Sequence, residues 1–506
     1  MRLSYAIASI LFVVFFSPLV SHITVPIHAV DQPNAAQFSP QTYVTFMQKP
    51  TDSSPSPWLL YPTNTIVWVA GISSEAPLTS QIREYFIDNR TSKPLVDLVN
   101  VTINSLLADP QGRVWFTDNS TLVYYDSQHQ TVNKTITFPN QGLWYLALDH
   151  QGRIWMTVFG STGKSSVVMF DPSDGLNRTY SVPTSNAYVQ GIAVAPAPDN
   201  TVWFAEAGAR KLGRIACDSC SIEEISPPSS LNVAALSQVA IDNSGNVWFT
   251  VHEGDNQFGV FNPQADTWKT FPIGYCLDAC VSGLPNAIFV DARNRIWFSE
   301  HIAGRVGSYD PSSDVLTEYP VSPDPYPGVW WAMPGPNNLV WFVANRLGEV
   351  GYVNATLPVP VNLAGPSGDI VIQKGFYRNI PVTVNFQGPQ TLSFAVSPLT
   401  QDQQSSTSPA QLYGSGPSSI GPSTSPQTAT ISVSAAWSAT SGARYVALTA
   451  TWNNVAVSIH VRIMVVEASV PVVALGFSFL ILLGCSAFYL RRPRKPKLQV
   501  SKRIRR

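Results

Sequence analysis

The chain has 506 residues, of which 45% are hydrophobic, 11% aromatic and only 12% charged, a composition typical of exported β-proteins. Its formal net charge is −1, but nine of its 31 lysines and arginines lie in the last sixteen residues, so the rest of the chain carries −10. This acidic balance excludes a polyanion-binding ectodomain, and we expect no nucleic-acid partner.

The N-terminus has the pattern of a secretory signal. Met1 and Arg2 precede an apolar run from Leu3 to Phe16, so residues 1–29 are assigned to a signal peptide that is cleaved near Ala29. The alternative is an uncleaved membrane anchor, because small residues are poorly placed around the cleavage site.

Residues 30–57 form an N-terminal segment rich in Pro and Ser, in which Thr42 to Met47 could supply one strand. A closed ring of sheets must be tied shut, and this strand could serve as the outer strand of the last sheet. The alternative closing strand is Pro358 to Leu363.

Residues 58–356 repeat a motif in which Trp is followed by an apolar residue, and Ile296-Trp297-Phe298-Ser299-Glu300 is its clearest copy. Seven copies begin at Trp68, Trp115, Trp155, Trp203, Trp248, Trp297 and Trp341, at intervals of 47, 40, 48, 45, 49 and 44 residues. This spacing is too long for a helical hairpin repeat and is typical of a propeller blade.

The turn before three copies reads Asp-x-x-Gly, as in Asp109 to Gly112, and Asp291 to Asn294 is a close variant. Asp accepts local backbone hydrogen bonds there, and Gly or Asn tolerates positive φ. A small-residue strand such as Lys211 to Ile215 and a fourth strand such as Val315 to Tyr319 follow. Four strands in about 45 residues predict an all-β protein in which residues 58–356 form a seven-bladed β-propeller.

The repeat ends near residue 357, and residues 357–468 read as alternating strands of an immunoglobulin-like β-sandwich that lacks an internal disulfide. Residues 400–428 are rich in Ser, Pro, Gln and Gly, and we expect a flexible loop there. Because the sandwich leads almost directly into an apolar segment, we expect it to act as a spacer.

That apolar segment, residues 470–490, has no charge and is long enough to be a transmembrane helix. The basic tail at residues 491–506 predicts a cytoplasmic C-terminus close to anionic lipid, and hence a single-pass protein of the cell membrane with extracellular N-terminal domains. Six Asn-x-Ser/Thr acceptors fit a glycosylated exterior: Asn89, Asn100, Asn119, Asn133, Asn177 and Asn354.

Four cysteines outside the apolar segment form two close pairs, Cys217 with Cys220 and Cys276 with Cys280. The pairs fall in loops that should emerge on opposite faces of a propeller, and an exterior location is oxidising, so we predict two local disulfides. A single zinc site built from all four thiolates is the alternative.

One face of a propeller gathers the loops that leave the Trp-Phe strands and those that enter the inner strands, and ligands usually bind there. The first kind of loop offers Asp118, Glu206, His252, Glu253, Glu300, His301 and Asn345, and the second kind offers Gln190, Gln238 and Asn286. Glu206 and Glu300 could bind a ligand or only form salt bridges with Arg210 and Arg305.

The repeat resembles that of the virginiamycin B lyase (streptogramin lyase) family, a seven-bladed propeller with Trp-Phe-Thr-Glu segments and Lys-Ile-Gly-Arg-Ile strands. The matching segments begin at Trp203, Lys211, Trp297 and Gly304, and the resemblance covers roughly residues 58–356. It implies a lyase that opens a cyclic peptide antibiotic by elimination, assisted by Mg2+, through a motif Glu and a His in a Pro-His-Ala-Ile segment.

Glu206 and Glu300 match the family's Glu, but Asn286 and Gln190 stand where the resemblance places His. An amide cannot accept a proton near neutral pH, and losing a general base typically costs about 10²–10⁴-fold in rate. We therefore predict a membrane-anchored surface protein that recognises a glycan, peptide or cell-envelope ligand. Its predicted ligand-binding residues are Gln190, Glu206, Gln238, Glu253, Asn286 and Glu300.

The alternative is an enzyme, either a lyase of the streptogramin type or a lactonase-like hydrolase. Its candidate catalytic residues are Glu206, Glu300, His252 and His301, of which Glu206 and Glu300 would hold a divalent metal, Mg2+ or Ca2+.

Overall fold

The computed structural model describes residues 43–468 except 53, 74–77, 161–162, 230, 232, 254–255, 274–282, 325, 387–390 and 400–410. The predicted signal peptide, transmembrane segment and basic tail lie outside these residues, as do Cys276, Cys280 and the side chain of Glu253. Within the described part, the chain has no helix of the length and apolarity that a membrane span requires.

Seven four-stranded antiparallel units, sheets 1 to 7, succeed one another through the described part of residues 44–354. Sheet 1 contains Ser56–Pro62, Ile66–Ile72, Thr79–Phe86 and Ser92–Val99 (β2–β5). Sheet 2 contains Leu106–Ala108, Arg113–Asp118, Thr121–Asp126 and Thr131–Thr137 (β6–β9). Sheet 3 contains Gln141–Leu148, Ile154–Gly160, Ser165–Phe170 and Asn177–Ser181 (β10–β13). Sheets 4 and 5 contain Val189–Val194, Val202–Glu206, Lys211–Ile215 and Glu223–Ile225 (β14–β17), and Ala235–Ile241, Val247–Glu253, Gln257–Asn262 and Thr267–Pro272 (β18–β21). Sheets 6 and 7 contain Pro285–Val290, Ile296–Glu300, Arg305–Asp310 and Val315–Pro320 (β22–β25), and Val329–Pro334, Leu339–Ala344 and Glu349–Asn354 (β26–β28) with Val44–Phe46 (β1).

The first strand of each sheet contacts the first strand of the next, and β2 of sheet 1 contacts β26 and β27 of sheet 7. The predicted all-β propeller architecture is therefore confirmed. The N-terminal strand ties the ring shut, since Thr45 of β1 pairs with Tyr352 of β28. The alternative closing segment, Pro358 to Leu363, instead leads into a different sheet.

The Asp of the turn before the motif both stabilises the turn and holds the Trp side chain, including in sheet 6, where the turn runs from Asp291 to Asn294. In sheet 6, Asp291 Oδ1 accepts the backbone N–H of Arg293 and Arg295, while Oδ2 accepts the Arg295 Nε–H at 2.8 Å and the Trp297 indole N–H at 2.8 Å. One carboxylate thus satisfies four donors, and the fully buried Trp297 keeps no unpaired polar atom.

Residues 361–466 form one further sheet and an extension of sheet 6, which enclose one hydrophobic core that includes Phe386, Ile431 and Leu448. Their strands are Val361–Ala364 (β29), Ile370–Gln373 (β30), Tyr377–Phe386 (β31), Leu392–Leu399 (β32), Leu412–Ser415 (β33), Ser419–Ile420 (β34), Gln427–Ala435 (β35), Gly442–Trp452 (β36) and Val455–Val466 (β37). One sheet has the order β29-β31-β35-β33, and the other contains β30, β37, β36, β32 and β34.

Two features of this region differ from the sequence predictions. The predicted loop at 400–428 holds strands β33 and β34 in its described part, because Leu412 and Ile420 are buried in the core despite their polar surroundings. The predicted spacer is joined to the propeller by a shared sheet, since Thr317 of β25 pairs with Val457 of β37.

A disulfide joins Cys217 to Cys220, with Cα atoms 5.0 Å apart, in the hairpin between β16 and β17. These two thiols are therefore unavailable to the four-cysteine zinc site that was the alternative.

Candidate functional site

Six of the seven inner strands have a bulge opposite the end of the Trp-Phe strand. In sheet 4, Val189 pairs with Glu206 and the next pair is Ile192 with Phe204, so Gln190 and Gly191 bulge between them. The first bulge residues, together with Asn104 at the corresponding place in sheet 2, all occupy the face where the inner strands begin. We call them the rim: Trp58, Asn104, Trp144, Gln190, Ser237, Asn286 and Trp330.

The rim contains two of the three predicted amides, Gln190 and Asn286. The prediction for Gln238 was wrong, because Leu236 is the residue that corresponds to Val189, and Ser237 therefore takes the rim position. Gln238 is the second bulge residue; it is 6% exposed and lies so close to Gly191 that a Cβ there would be 2.5 Å from Gln238 Cα.

The rim amides bond to neighbouring sheets. Asn286 Nδ2 donates to the Trp330 carbonyl at 3.0 Å, and Gln190 Oε1 accepts the Ser237 hydroxyl at 2.9 Å. Buried hydroxyls one residue after the Trp-Phe pair add further links, since Thr250 Oγ1 donates to the Asn286 carbonyl at 2.9 Å and Ser299 Oγ to that of Trp330 at 3.1 Å. These bonds hold the bulges of adjacent sheets in a fixed relation.

Three tryptophans on the rim were missed by the sequence analysis. Trp58 and Trp330 stack with ring centroids 4.2 Å apart and planes at 25°, and Trp144 lies 5.5 Å from Phe159. All three are half-buried. Aligning the seven inner strands would have found them, because Pro57-Trp58 and Val329-Trp330 stand in the register of Pro285-Asn286.

His252 and His301 lie beside this aromatic stack. The His301 ring is edge-on to Trp330 at 4.5 Å, and the His252 ring is nearly parallel to that of His301 at 6.2 Å. Burial, then the positive charges that His252 and Arg346 can carry, lower the pKa of His301 to about 3. His301 is therefore a neutral ring at physiological pH and a weak base.

Glu206 and Glu300 are fully buried at the ends of β15 and β23. Burial and the nearby Glu224 raise the pKa of Glu206 to about 7, although Lys211 opposes this. Burial and the nearby Glu318 raise the pKa of Glu300 well above its usual range, again opposed by a cation, Arg305.

The cations next to these carboxyls pair with the second acid of each cluster. Lys211 Nζ lies 2.6 Å from Glu224, and Arg305 lies 3.0 Å from Glu318. Arg305 lies near Glu300 as predicted, but its ion pair is with Glu318. Near Glu206 the cation is Lys211, whereas the predicted Arg210 is exposed. Each cluster holds two carboxyl groups and one cation.

These clusters do not fit a Mg2+ or Ca2+ site. Both ions need about six or more oxygen ligands, and here each cluster offers two carboxyl groups, one of which is already ion-paired with a protein cation. Within the described residues, no three His, Cys, Asp or Glu side chains come together as metal ligands would. We therefore derive no chemical step through a metal.

The fold and the rim define a β-propeller in which one face combines tryptophan with amide side chains. A sequence profile of the virginiamycin B lyase family matches residues 80–368, more than half of the chain, and the protein belongs to that family. No curated protein sequence matches it.

Two solved structures illustrate the likeness. A streptogramin B lyase is 20% identical over 62% of this chain and 97% of its own, with a TM-score of 0.52. A catalytically inactive His→Ala variant of virginiamycin B lyase from Staphylococcus aureus, determined with quinupristin, is 20% identical over 61% of this chain and 98% of its own, with a TM-score of 0.51. At these identities the likeness shows the fold alone.

Proposed function

We propose that the protein is a recognition protein of the cell surface. Sheets 1 to 7 are the blades of a closed seven-bladed propeller, residues 357–468 are an immunoglobulin-like β-sandwich, and residues 470–490 anchor both in the membrane. The rim binds an extracellular glycan, peptide or cell-envelope component.

The rim composition supports recognition. Trp58, Trp144 and Trp330 offer large apolar rings with a polar N–H, the side chains that most often anchor ligands at binding surfaces. Asn104 and Gln190, both half-buried, add amides that donate and accept hydrogen bonds but cannot exchange a proton near neutral pH. Asn286 is only 3% exposed, and its amide holds the Trp330 backbone in place. A surface of this kind orients a ligand without a general base.

The second candidate function is the lyase reaction of the family, and the pair His252–His301 beside the rim favours it. In the Staphylococcus aureus relative, replacing one histidine gives a catalytically inactive protein. Here no rim position carries histidine. A base with a pKa of about 3 is protonated too weakly to accept a proton efficiently near pH 7, so His301 is a poor substitute.

The buried carboxyls Glu206 and Glu300 would then act as supports of the rim. Each ends the strand that pairs with the start of an inner strand, since Glu206 faces Val189 and Glu300 faces Pro285. Their clusters with Lys211 and Arg305 therefore lie next to the strand starts that carry the rim residues Gln190 and Asn286.

Binding by the full-length protein in detergent tests the proposal. Cell-envelope glycan fragments and peptides are titrated against wild type and Trp144→Ala, with Trp437→Ala as a matched control, because Trp437 is 71% exposed on the C-terminal region. We expect Trp144→Ala to weaken binding by about tenfold or more and Trp437→Ala to leave it unchanged. Equal binding by all three proteins would refute rim recognition.

The same preparation is incubated with quinupristin to test the second candidate. Linearisation of this cyclic peptide by wild type, lost in His301→Ala, would establish the lyase. An intact peptide supports recognition.

The location outside the cell is supported by the exposure of four glycosylation acceptors, Asn89, Asn100, Asn119 and Asn177, while Asn133 and Asn354 are half-buried. A drop in apparent mass after enzymatic removal of N-linked glycans, lost stepwise in Asn→Gln variants, would support export. Protease protection of the whole N-terminal region in intact cells would refute it.

A further inference from the structure

One end of the C-terminal region collects the ends of three strands. The backbone N–H of Lys374, just after β30, donates to the carbonyl of Val466, the last residue of β37, at 3.1 Å. The N–H of Gly375 donates to the carbonyl of Ala435, the last residue of β35, at 2.9 Å. This end is therefore also the place where the described chain leaves the fold.

The same end exposes a cluster of aromatic side chains. Phe376 is 49% exposed, Tyr377 68%, Tyr413 57% and Trp437 71%. In the described part of the chain only two other aromatic residues, Tyr188 and Tyr326, are among the exposed large hydrophobic side chains. Exposed aromatic surface is thus concentrated here, and surface of this kind marks a contact with another molecule.

The backbone register shows that the cluster is continuous. Tyr377 of β31 and Tyr413 of β33 both pair with Ser434 of β35, so the two tyrosines lie in one row, about 10 Å apart across the outer face of the sheet. Phe376 and Trp437 extend the row at its end, with ring centroids 6.1 Å apart.

We propose that this aromatic end (Phe376, Tyr377, Tyr413 and Trp437) lies in the headgroup layer of the membrane that holds the protein. The inference rests on the proposed membrane anchor at residues 470–490. Trp and Tyr are the side chains that favour the membrane–water interface, since their rings are apolar and their N–H and O–H groups bond to water and headgroups.

The position of the chain supports this partner. Glu467 is fixed on the aromatic end, 2.5 Å from Lys374 Nζ and 2.7 Å from the Ser441 hydroxyl. The uncharged segment begins at Val470, only three residues later, and three residues span at most about 10 Å. If the chain enters the bilayer at Val470, the membrane surface therefore lies close to these rings.

The charges at this end also suit a lipid surface. Lys374 and Glu467 neutralise one another, and Arg378, next to Tyr377, is exposed. An exposed arginine near a bilayer can extend to lipid phosphates. Because β37 pairs with β25 of the propeller, seating this end on the bilayer fixes the direction in which the propeller is held.

Fluorescence quenching in nanodiscs tests the proposal, using the full-length protein and phosphatidylcholine–phosphatidylserine discs with and without brominated acyl chains. Residues 470–506 contain no tryptophan, so bromine quenching reports on the rest of the chain. We expect brominated lipid to quench part of the wild-type emission and Trp437→Phe to abolish that part. Leu176→Trp, a new ring at a site that is 66% exposed on sheet 3, adds emission that bromine does not quench.

Unchanged quenching in Trp437→Phe would overturn the inference. The inference would also be overturned if wild type showed no quenching and Trp437→Cys formed cross-linked dimers. That result would assign the aromatic end to a contact with a second copy of the chain. Alkaline carbonate extraction of cell membranes that contain the protein separates the membrane anchor from the seating of the aromatic end. Release of the protein refutes the anchor. Retention in the membrane without quenching in nanodiscs refutes only the seating of the aromatic end.

Discussion

The carboxylate of Asp291 accepts the indole N–H of Trp297 at 2.8 Å, and the same bond joins Asp109 to Trp115, Asp149 to Trp155 and Asp242 to Trp248. The turn and the Trp of the repeat are therefore one unit. Sheet 7 shows the contrast, since a short 3-10 helix, Pro336–Asn338, replaces the Asp turn and Trp341 Nε1 is buried without a hydrogen-bond partner in the described structure.

Asp291→Ala should destabilise the protein strongly, because it leaves the Trp297 indole and three further donors without an acceptor. Hydrogen bonds to a charged group contribute about 1.5–3 kcal/mol, so we expect a loss of about 3 kcal/mol or more. The matched control is Asp310→Ala in the same sheet, where the carboxylate accepts from the exposed turn residues Ser312 and Ser313 and from no buried indole. Urea unfolding of all three proteins measures the difference, and equal losses would contradict the structural role of the indole bond.

Glu206 should make the fold less stable as pH rises. Its pKa is raised to about 7 in the folded protein from an ordinary 4.5, so the folded state binds more protons and stability is lost between about pH 4.5 and 7. We expect Glu206→Gln to match wild type at pH 4.5 and to melt at a higher temperature at pH 8. Glu223→Gln, on the same sheet and paired at 3.4 Å with Arg214, is the control. A difference in melting temperature between Glu206→Gln and wild type that is the same at both pH values would show that the surroundings of Glu206 do not raise its pKa.

His301 has the opposite effect. Its pKa falls from 6.5 to about 3 on folding. Below pH 6.5 the unfolded chain therefore binds a proton at His301 that the folded protein does not bind, and the protein loses stability as the pH falls. His301→Gln should therefore gain stability relative to wild type at pH 4 and show no such gain at pH 8. Thermal melts at both values, with exposed His129→Gln as control, measure this. A gain of equal size at both values would exclude a buried neutral ring.

Much of the propeller could be predicted because its signals are local. The Trp spacing, the Asp turns and the small third strands each act within one sheet, and the positions of Cys217 and Cys220 follow from them. The rim was only partly predicted. A bulge shifts the register by one residue, so Gln238 was placed where Ser237 lies. Trp58 and Trp330 were overlooked because only polar residues were considered at the start of the inner strands.

Apart from the closing strand β1, contacts between distant parts of the chain were not predicted from the sequence. Nothing in the alternation of β37 indicates that it pairs with β25 more than a hundred residues earlier. The burial of Glu206 and Glu300 was also missed, because a motif-ending Glu looks exposed until the cation and second carboxyl on the adjacent strands are known.

The central claim is that the rim binds and does not catalyse. The most direct test is to titrate the full-length protein and its Trp330→Ala and His301→Ala variants with cell-envelope fragments by calorimetry while assaying quinupristin for linearisation. We predict that Trp330→Ala weakens binding by about tenfold or more, that His301→Ala largely retains it, and that no linearised peptide forms. Turnover of the peptide by wild type that disappears in His301→Ala, with binding untouched by Trp330→Ala, would contradict the claim.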